Sequence, residues 1–325
     1  PADAAAAVFA GGRGLRGGGR LPRRRRGGVP PPPGGAAGGE SARRHGVLRA
    51  IEGTIQSSII SIIQELKYRE GNKNMELLNQ IEEYWTKRAE GYSQVNQEEL
   101  ATRQRQVWLE NLREHLPGKK PEETKILDIG TGPGFFAIIL AQAGYQVTAV
   151  DYTEEMLKEA RHNAGNLAEK IQWMQMDAQN LEFPDQTFDA VVSRNLTWNL
   201  ENPTRAYEEW LRVLKKGGKL LNYDANWYHH LFDEKKRREY EEDRKRVEAL
   251  HMEDHYTCTD IDAMEDIARK VPLSQINRPL WDKELLEKLA CAKVEVEEDV
   301  WEKVWSREER ANYYSTPMFL VEGEK

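Results

Sequence analysis

The chain has 325 residues, of which 39% are hydrophobic, and its formal net charge at pH 7 is −7. This length accommodates one large domain or two modest ones, and no apolar run approaches the roughly 20 residues that a membrane-spanning helix needs. The two cysteines, Cys258 and Cys291, lie far apart and form no C-x-x-C motif, which excludes a disulfide framework and favours a reducing, cytoplasmic setting.

The first fifty residues differ from the rest of the chain in composition. They contain ten arginines and two acidic residues, Asp3 and Glu40, so their net charge is 10 − 2 = +8 and the remainder carries −7 − 8 = −15. Segments this rich in Arg, Gly and Pro bury too little apolar surface to fold, so we predict a disordered tail. Such a tail can bind nucleic acid non-specifically; an Arg-rich start is also typical of transit peptides, although serine is scarce here.

Helical periodicity begins after the tail. Apolar residues at steps of three or four from Leu48 to Leu66 predict an amphipathic helix of the kind that binds a membrane surface or a partner, and we place residues 1–66 outside the folded domain. The pattern resumes at Met75, a plausible natural start, and continues to Ala89. Another helix is expected from Gln97 to Leu116.

The most informative stretch is the strand–turn–helix unit at residues 126–143. An apolar strand ends at Ile129, a turn follows with glycine at every second position, and a helical pattern runs from Phe135 to Ala143. Glycine lets the backbone approach a ligand closely, and a helix N-terminus offers free N–H groups. The unit therefore predicts a nucleotide-type site. A dinucleotide fingerprint would place its third glycine where Phe135 stands, which leaves an NAD(P)-dependent oxidoreductase as the weaker alternative.

Strands and helices alternate through the next hundred residues. The predicted strands are Gln146–Asp151, Ile171–Met176, Phe188–Ser193 and Lys219–Asp224. Thr153 is expected to cap a helix at Glu154–Ala164, Asn202 and Pro203 to open another, and residues 215–218 to form a break before the fifth strand.

Acidic residues lie at the end of the second strand and directly after the third. A carboxylate placed like Asp151, at the end of the second strand, can accept both hydroxyls of a ribose, and Tyr152 is positioned to lie against an adenine ring. Asp177 and Ala178 follow the third strand. Asp189 lies inside the fourth strand, where a structural role is the better interpretation.

The last hundred residues predict a lid and the end of the sheet. A charged helix from about Asp233 to Leu250, followed by a stretch without strand pattern to Leu280, suits an insertion that covers the C-terminal ends of the strands. His251, His255 and Cys258 match no strong zinc spacing, so no metal is predicted. Asp282 is expected to cap a helix that ends at Leu289, and the final strands are predicted at 293–300 and 313–322.

The D-x-G-x-G-x-G pattern led by Asp128 resembles the first motif of class I S-adenosylmethionine (SAM)-dependent methyltransferases. The strands match this family in order and spacing from Lys125 to Asp224, and the resemblance, to the bacterial small-molecule type called methyltransferase type 11, covers 75–325 with a lid insertion at about 226–280. It implies an α/β fold with a doubly wound seven-stranded sheet, order 3-2-1-4-5-7-6, strand 7 antiparallel, helices on both faces and a helical lid.

The resemblance also implies SAM as the cofactor. In the family the glycine turn passes under the methionine part of SAM, the acid before the turn fixes the amino group, and the position of Asp177 meets the adenine amino group. Residues 85–92 resemble a W-x-x-x-A-x-x-Y flap over the SAM pocket, where Tyr92 either closes the pocket or packs a helix. The cofactor-binding residues predicted in this way are Asp128, Gly130, Thr131, Gly132, Gly134, Asp151, Tyr152, Asp177, Ala178, Asn195 and Tyr92.

The acceptor is expected to be a small molecule. Residues 193–196 differ from the N-P-P-Y motif of adenine and glutamine N-methyltransferases, no acid follows Ser193 as in metal-dependent catechol O-methyltransferases, and an acidic core disfavours nucleic acid. An acceptor pocket is predicted on the loops after strands four and five. Its expected residues are Trp198, Trp227, Tyr228, His229 and His230.

A base is needed only if the acceptor arrives protonated. His229 and His230 are the candidate bases, with lid residues of no catalytic role as the alternative. The remaining functional alternative is a SAM-binding regulatory protein that binds RNA without turnover.

Overall fold

The computed structural model describes residues 59, 62, 63, 76–256 and 259–325. The chain divides into two units, Pro1–Gln64 and Glu65–Lys325, and the fold described here is that of the second. Of the first unit, Ile59, Ile62 and Ile63 are described as helical and exposed. The predicted tail, the rest of the amphipathic helix and Met75 lie outside the described residues, so those expectations stay predictions.

A seven-stranded sheet forms the centre of the second unit. Its strands are β1 Lys125–Ile129, β2 Gln146–Asp151, β3 Gln172–Gln175, β4 Phe188–Arg194, β5 Leu214–Asp224, β6 Lys293–Glu297 and β7 Phe319–Glu324. Their order is 3-2-1-4-5-7-6. Strands β1 to β5 run parallel, and β7 is antiparallel to both of its neighbours. The predicted fold class and strand order are confirmed.

Helices cover both faces of this sheet. They are α1 76–101, α2 Gln104–His115, α3 Phe135–Gln142, α4 Glu154–Ala164, α5 Pro203–Val213, α6 Glu234–Ala249, α7 Ile261–Ala268, α8 Leu280–Lys288, α9 Trp301–Val304 and α10 Arg307–Tyr313. Helix α1 is described from residue 76 onward. No helix in this part of the chain is long and apolar enough to cross a membrane.

Buried aromatic residues join helices to the sheet on each face. On one face Trp108 of α2 meets Phe136 of α3 and Tyr223 of β5, with ring centroids 5.2 Å apart in both pairs. On the other face Tyr207 and Trp210 of α5 are fully buried. Burying one such side chain contributes about 1.5–3 kcal/mol, so these residues fix α2, α3 and α5 against the strands whose C-terminal ends form the site.

The helices before β1 differ from the prediction. Helix α1 continues to residue 101, and α2 begins at Gln104. Gly91 lies inside α1, where glycine costs about 1 kcal/mol relative to alanine. Because α1 buries Ile81, Tyr84 and Ala89, packing offsets that cost and the chain stays helical.

The predicted break at residues 215–218 is wrong, since β5 already begins at Leu214. Phe188 pairs with Leu214 while Ala190 pairs with Lys219, so extra residues of β5 form a bulge. Gly217 provides the positive φ of 71° in this bulge, and its N–H donates to the carbonyl of Lys325 at 2.6 Å. A lysine–glycine run in this place is therefore a strand irregularity.

Three predicted caps have different outcomes. Asn202 caps α5, since its Oδ1 accepts from the Arg205 N–H at 3.0 Å. Thr153 occupies the N-cap position of α4 but its side chain makes no capping bond. Asp282 lies within α8, which begins after Pro279, and its carboxylate binds Arg278 instead.

The final strand is shorter than predicted. Residues from Arg307 to Tyr313 form helix α10, which begins with a capping box between Ser306 and Glu309, and β7 starts only at Phe319. A serine followed three residues later by glutamate is a sequence signature of a helix N-terminus, so this boundary was readable in the sequence.

Candidate functional site

The turn after β1 is held by the buried carboxylate of Asp128. Its Oδ2 accepts hydrogen bonds from the Thr131 hydroxyl at 2.6 Å and from the Ala137 N–H at 3.0 Å. The second bond ties the turn to the first residues of α3. Burial raises the pKa of Asp128 to about 7, although these hydrogen bonds oppose the shift. Asp128 thus fixes the turn that follows it.

The glycines of this turn have left-handed backbones, with φ values of 64° at Gly130, 53° at Gly132 and 93° at Gly134. A Cβ added at Gly130 would lie 2.7 Å from the Leu196 side chain. At Gly132 it would lie 3.5 Å from the ring of Tyr92. The structure therefore brings Tyr92 of α1 over the turn.

Asp151 ends β2 beside the turn. Its Oδ2 accepts from the Gly132 N–H and its Oδ1 from the Thr153 N–H, both at 2.9 Å. An ionised carboxylate has about four acceptor positions, so two backbone bonds orient the group and leave capacity for two further donors. Burial raises the pKa of Asp151 to about 6, and the backbone N–H groups counteract part of that shift.

Asp177 lies at the end of β3 in the same wall. Its Oδ1 accepts from the backbone N–H and the side-chain amide of Gln179, at 2.8 and 3.1 Å. Glu201 lies near it, and burial together with the charge of Asp177 raises the pKa of Glu201 to about 7. Glu201 was not predicted as a site residue.

One cavity of about 710 Å³ joins these elements. Ten of the eleven predicted cofactor-binding residues line it; the eleventh, Gly134, packs against Ala160 instead. Asn195, directly after β4, takes a positive φ of 58° and lines the cavity as well. It thus forms a turn and faces the site.

Aromatic side chains form part of the cavity wall. Trp198, Trp227 and Tyr228 line it as predicted, and they are joined by Trp305 and Tyr313 from the C-terminal region. Residues from the insertion between β5 and α8 contribute to the same lining, in agreement with the expected helical lid.

Neither predicted histidine lines the cavity, which corrects the expectation that one of them points into the cleft. His230 is buried and stacks on Tyr240, with ring centroids 4.2 Å apart, and burial lowers its pKa to about 4. The Nδ1 of His229 lies 3.2 Å from the carbonyl oxygen of Ser274. The 3-10 turn His229–Leu231 directs both rings toward the lid packing and leaves Trp227 at the cavity.

An ion pair was missed in the sequence. Arg194, the last residue of β4, is held bidentately by Glu99 of α1 at 2.8 and 2.9 Å. Its guanidinium carbon lies 4.5 Å from the ring centroid of Phe135. Glu309, the third residue of α10, lines the cavity nearby. Only proximity in the fold joins these residues, so sequence spacing offered no signal.

Two of the three residues weighed as metal ligands, His251 and His255, are described in the structure. Of His251, His255 and Cys258, the cysteine lies outside the described residues. Within the described ranges no group of three or more His, Cys, Asp or Glu residues is arranged to hold a metal ion.

Comparisons with known proteins find methyltransferases. Residues 127–222 match the family model described as a methyltransferase domain. Phosphatidylethanolamine N-methyltransferase of Cereibacter sphaeroides is 36% identical over 99 residues, which is 30% of this chain and 48% of that protein. Demethylmenaquinone methyltransferase of Clavibacter sepedonicus is 37% identical over 98 residues, 30% of this chain and 39% of that protein.

A third relative is the ubiquinone/menaquinone biosynthesis C-methyltransferase UbiE of Roseobacter denitrificans, 34% identical over 119 residues, 35% of this chain and 47% of that protein. The match thus spans less than half the length of each of these relatives. Among solved structures, a putative SAM-dependent methyltransferase from Methanococcus maripaludis has a TM-score of 0.49 and 21% identity, covering 74% of this chain and 93% of that one.

Proposed function

We propose that this chain, a class I SAM-dependent methyltransferase by its domain match and sheet order, transfers the methyl group of SAM to a small-molecule acceptor by in-line displacement. The observation that carries the proposal is the carboxylate of Asp151. Two backbone N–H groups fix it at the end of β2, in the same cavity as the glycine turn. This is the arrangement that a nucleoside ribose requires.

The cavity wall offers acceptors for the donors that SAM carries. Asn195 Oδ1 and Glu201 Oε1 are buried and have no hydrogen-bond partner among the described residues. A buried acceptor without a partner costs about 1–3 kcal/mol, so a ligand with ammonium and amino groups would relieve that cost. We assign the ribose to Asp151, the adenine ring to Tyr152 and its amino group to Asp177.

When bound, SAM supplies an electrophilic methyl group on a sulfonium sulfur. The residues of the chain then have to orient the two reactants and exclude water. The ring of Tyr92 over Gly132 supports such a role, since it covers the turn from the side of α1. On this proposal the protein accelerates the reaction mainly by positioning.

Several observations support a small molecule as the acceptor. Ligand pockets commonly enclose about 300–1,000 Å³, and this cavity of about 710 Å³ falls within that range. Its aromatic wall gives an acceptor apolar surface to bury. Two of the relatives are named for phosphatidylethanolamine and demethylmenaquinone, which are not macromolecules either.

The decisive test of cofactor binding is the Asp151→Ala variant. Loss of charge-assisted hydrogen bonds worth about 1.5–3 kcal/mol should weaken SAM binding by roughly tenfold or more. Isothermal titration calorimetry measures this, with Glu155→Ala as the control, because Glu155 is an acid on α4 outside the cavity lining. Equal SAM affinity in the wild type and Asp151→Ala would refute the assignment.

Turnover is tested separately. A metabolite extract incubated with SAM and the protein should yield S-adenosylhomocysteine together with a compound heavier by one methyl group. SAM binding without any methylated product would instead support the regulatory alternative, above all if the chain also bound RNA in a salt-sensitive manner.

A further inference from the structure

We infer that the acceptor is a small amine that enters as a cation, and that the carboxylate of Glu309 binds it and takes its proton before methyl transfer. This inference rests on the proposed function, because it concerns the part of the same cavity that the cofactor residues leave free.

Aromatic rings form one side of this part. The ring centroid of Tyr313 lies 5.2 Å from that of Trp227 and 5.9 Å from that of Trp305. Rings of this kind attract an ammonium group with about 0.5–2 kcal/mol each. Aromatic rings also bind neutral apolar groups, so the rings alone do not distinguish a cationic acceptor from a neutral one. The charge of the cavity wall provides that distinction.

Carboxylates dominate that charge. Nine acidic and two arginine side chains line the cavity. The acids are Glu98, Glu99, Asp128, Asp151, Asp177, Glu201, Glu253, Glu308 and Glu309, and the arginines are Arg88 and Arg194. The guanidinium of Arg194 is already engaged by Glu99. The field of such a wall attracts cations and repels anions, which disfavours carboxylate or phosphate acceptors.

Glu309 connects the aromatic side with the ionic side. Its Oε2 accepts from the Ser306 N–H at 2.7 Å and from the Gln104 amide at 3.2 Å, which fixes the carboxylate in place. Tyr313, one helical turn further along α10, lines the same cavity, as do Tyr92 and the glycine turn. Glu309 and the aromatic rings therefore share the cavity with the residues assigned to SAM.

The surroundings of Glu309 suit proton exchange near neutral pH. Burial and the negative charge of Glu99 on α1 raise its pKa to about 7, whereas Ser306 and the positive charge of Arg194 on β4 lower it. Burial and the charge of Glu309 in turn raise the pKa of Tyr313 on the same helix. A carboxyl group with a pKa near the working pH is an effective base.

The step balances without another reactant. The ammonium group gives one proton to Glu309, which leaves a neutral amine with a free electron pair. This pair forms the new nitrogen–carbon bond while the sulfur–carbon bond of SAM breaks and its electrons stay on sulfur. The methylated amine leaves as a cation, and Glu309 returns its proton to water.

The test combines a set of matched acceptors with one variant. 2-Phenylethylamine, 2-phenylethanol and phenylacetate share a carbon skeleton and differ in their polar group. Ethanolamine and phosphoethanolamine form a second pair, in which only phosphoethanolamine carries an anionic phosphate. We expect S-adenosylhomocysteine to form at least tenfold faster with the amines than with their uncharged or anionic counterparts. Calorimetry in the presence of S-adenosylhomocysteine should likewise give tighter binding of the amine than of its alcohol.

Glu309→Gln keeps an acceptor for the capping box of α10, so the helix start is retained. The Glu309→Gln variant should lower kcat by roughly a hundredfold or more. It should also abolish the loss of rate that we expect for the wild type as pH falls below about 7. SAM affinity should not change. Glu302→Gln, an acid of α9 outside the cavity lining, should behave as the wild type.

The outcomes separate the two proposals. If SAM does not bind, the proposed function fails. If SAM binds but alcohols or anions are methylated in preference to amines, or no amine binds more tightly than its alcohol, the inference on the acceptor is overturned. Wild-type kcat and pH profile in Glu309→Gln would refute the role of Glu309 alone.

Discussion

Asp128 and Asp151 are neighbouring buried carboxylates that serve different purposes. The Oδ2 of Asp128 accepts hydrogen bonds from Thr131 and Ala137, so its carboxyl group holds the turn in place. The oxygens of Asp151 accept one backbone bond each and line the cavity. Replacement of Asp128 should therefore affect folding of the turn, whereas replacement of Asp151 should affect ligand affinity.

The raised pKa of Asp151 predicts a pH dependence of SAM binding. Hydroxyl donors prefer the ionised carboxylate, and burial raises the pKa to about 6, so SAM affinity should fall as pH decreases from 7.5 to 5. Calorimetry across this range measures the effect, and Asp151→Asn should bind weakly with a flatter profile. A wild-type affinity that is the same at both pH values would contradict the prediction.

Apart from Tyr92 on α1, the cavity-lining residues that the sequence predicted lie at or near strand ends. Asp128 and Asp151 are among the last residues of β1 and β2, and Asp177 comes shortly after β3, so strand periodicity was enough to place them at one edge of the sheet. Glu99 and Glu309 come from helices that reach the cavity by tertiary packing alone. His229 and His230 follow β5 closely, but a 3-10 turn rotates them away; sequence proximity to a strand end does not fix side-chain direction.

At the scale of elements, the lid is joined to the sheet by a buried ion network. Arg278 donates from Nη1 to Asp224 of β5 at 2.6 Å and from Nη2 to Asp282 of α8 at 2.7 Å. Tyr207 of α5 donates to the same Asp282 at 2.7 Å. All these charged groups are buried, so the network fixes the segment before α8 beside the end of β5.

Arg278→Gln should destabilise the protein strongly. Removal of one partner leaves two carboxylates buried without their cation, which typically costs about 3–5 kcal/mol. Urea unfolding measures the loss. The control is Arg269→Gln, since Arg269 ends α7 and pairs with Glu265 on the surface, where such a pair is worth at most about 1 kcal/mol. Similar midpoints for the two variants would show that the network contributes little.

Element boundaries were predicted best where a local signal marked them. The bounds of β2 and the Asn202–Pro203 start of α5 are as expected. The continuation of α1 through Gly91 and the bulge in β5 were missed, because burial in one case and cross-strand register in the other override local propensity. Strand pairing with the chain end at Lys325 is a long-range contact that no sequence window contains.

At the scale of the whole molecule, the core domain is expected to be independent of the first unit. The chain divides between Gln64 and Glu65, and we expect the family resemblance to begin at Met75. A protein that starts at Met75 should therefore have the same melting temperature and SAM affinity as the full chain, and should lose any salt-sensitive RNA binding of the Arg-rich tail. A tenfold drop in SAM affinity or insolubility would place residues 1–74 in the domain.

The buried acids also predict how stability responds to pH. Asp128, Glu201 and Glu309 have a pKa of about 7 in the folded protein, against about 4 in an unfolded chain. Between pH 6.5 and 8 the unfolded state has already lost these protons while the folded state still binds them, so the free energy of unfolding falls as pH rises. The lowered pKa of His230 acts mostly below pH 6.5, so it opposes this trend only weakly.

We therefore expect the SAM-free protein to lose roughly 1–2 kcal/mol of stability between pH 6.5 and pH 8. Urea unfolding at a series of pH values measures this change. Glu309→Gln removes one of the three groups, so its stability should decrease less over the same range. A free energy of unfolding that stays constant or rises toward pH 8 would mean that these carboxyl groups are ionised at neutral pH. Glu309 would then bind a cation without accepting its proton.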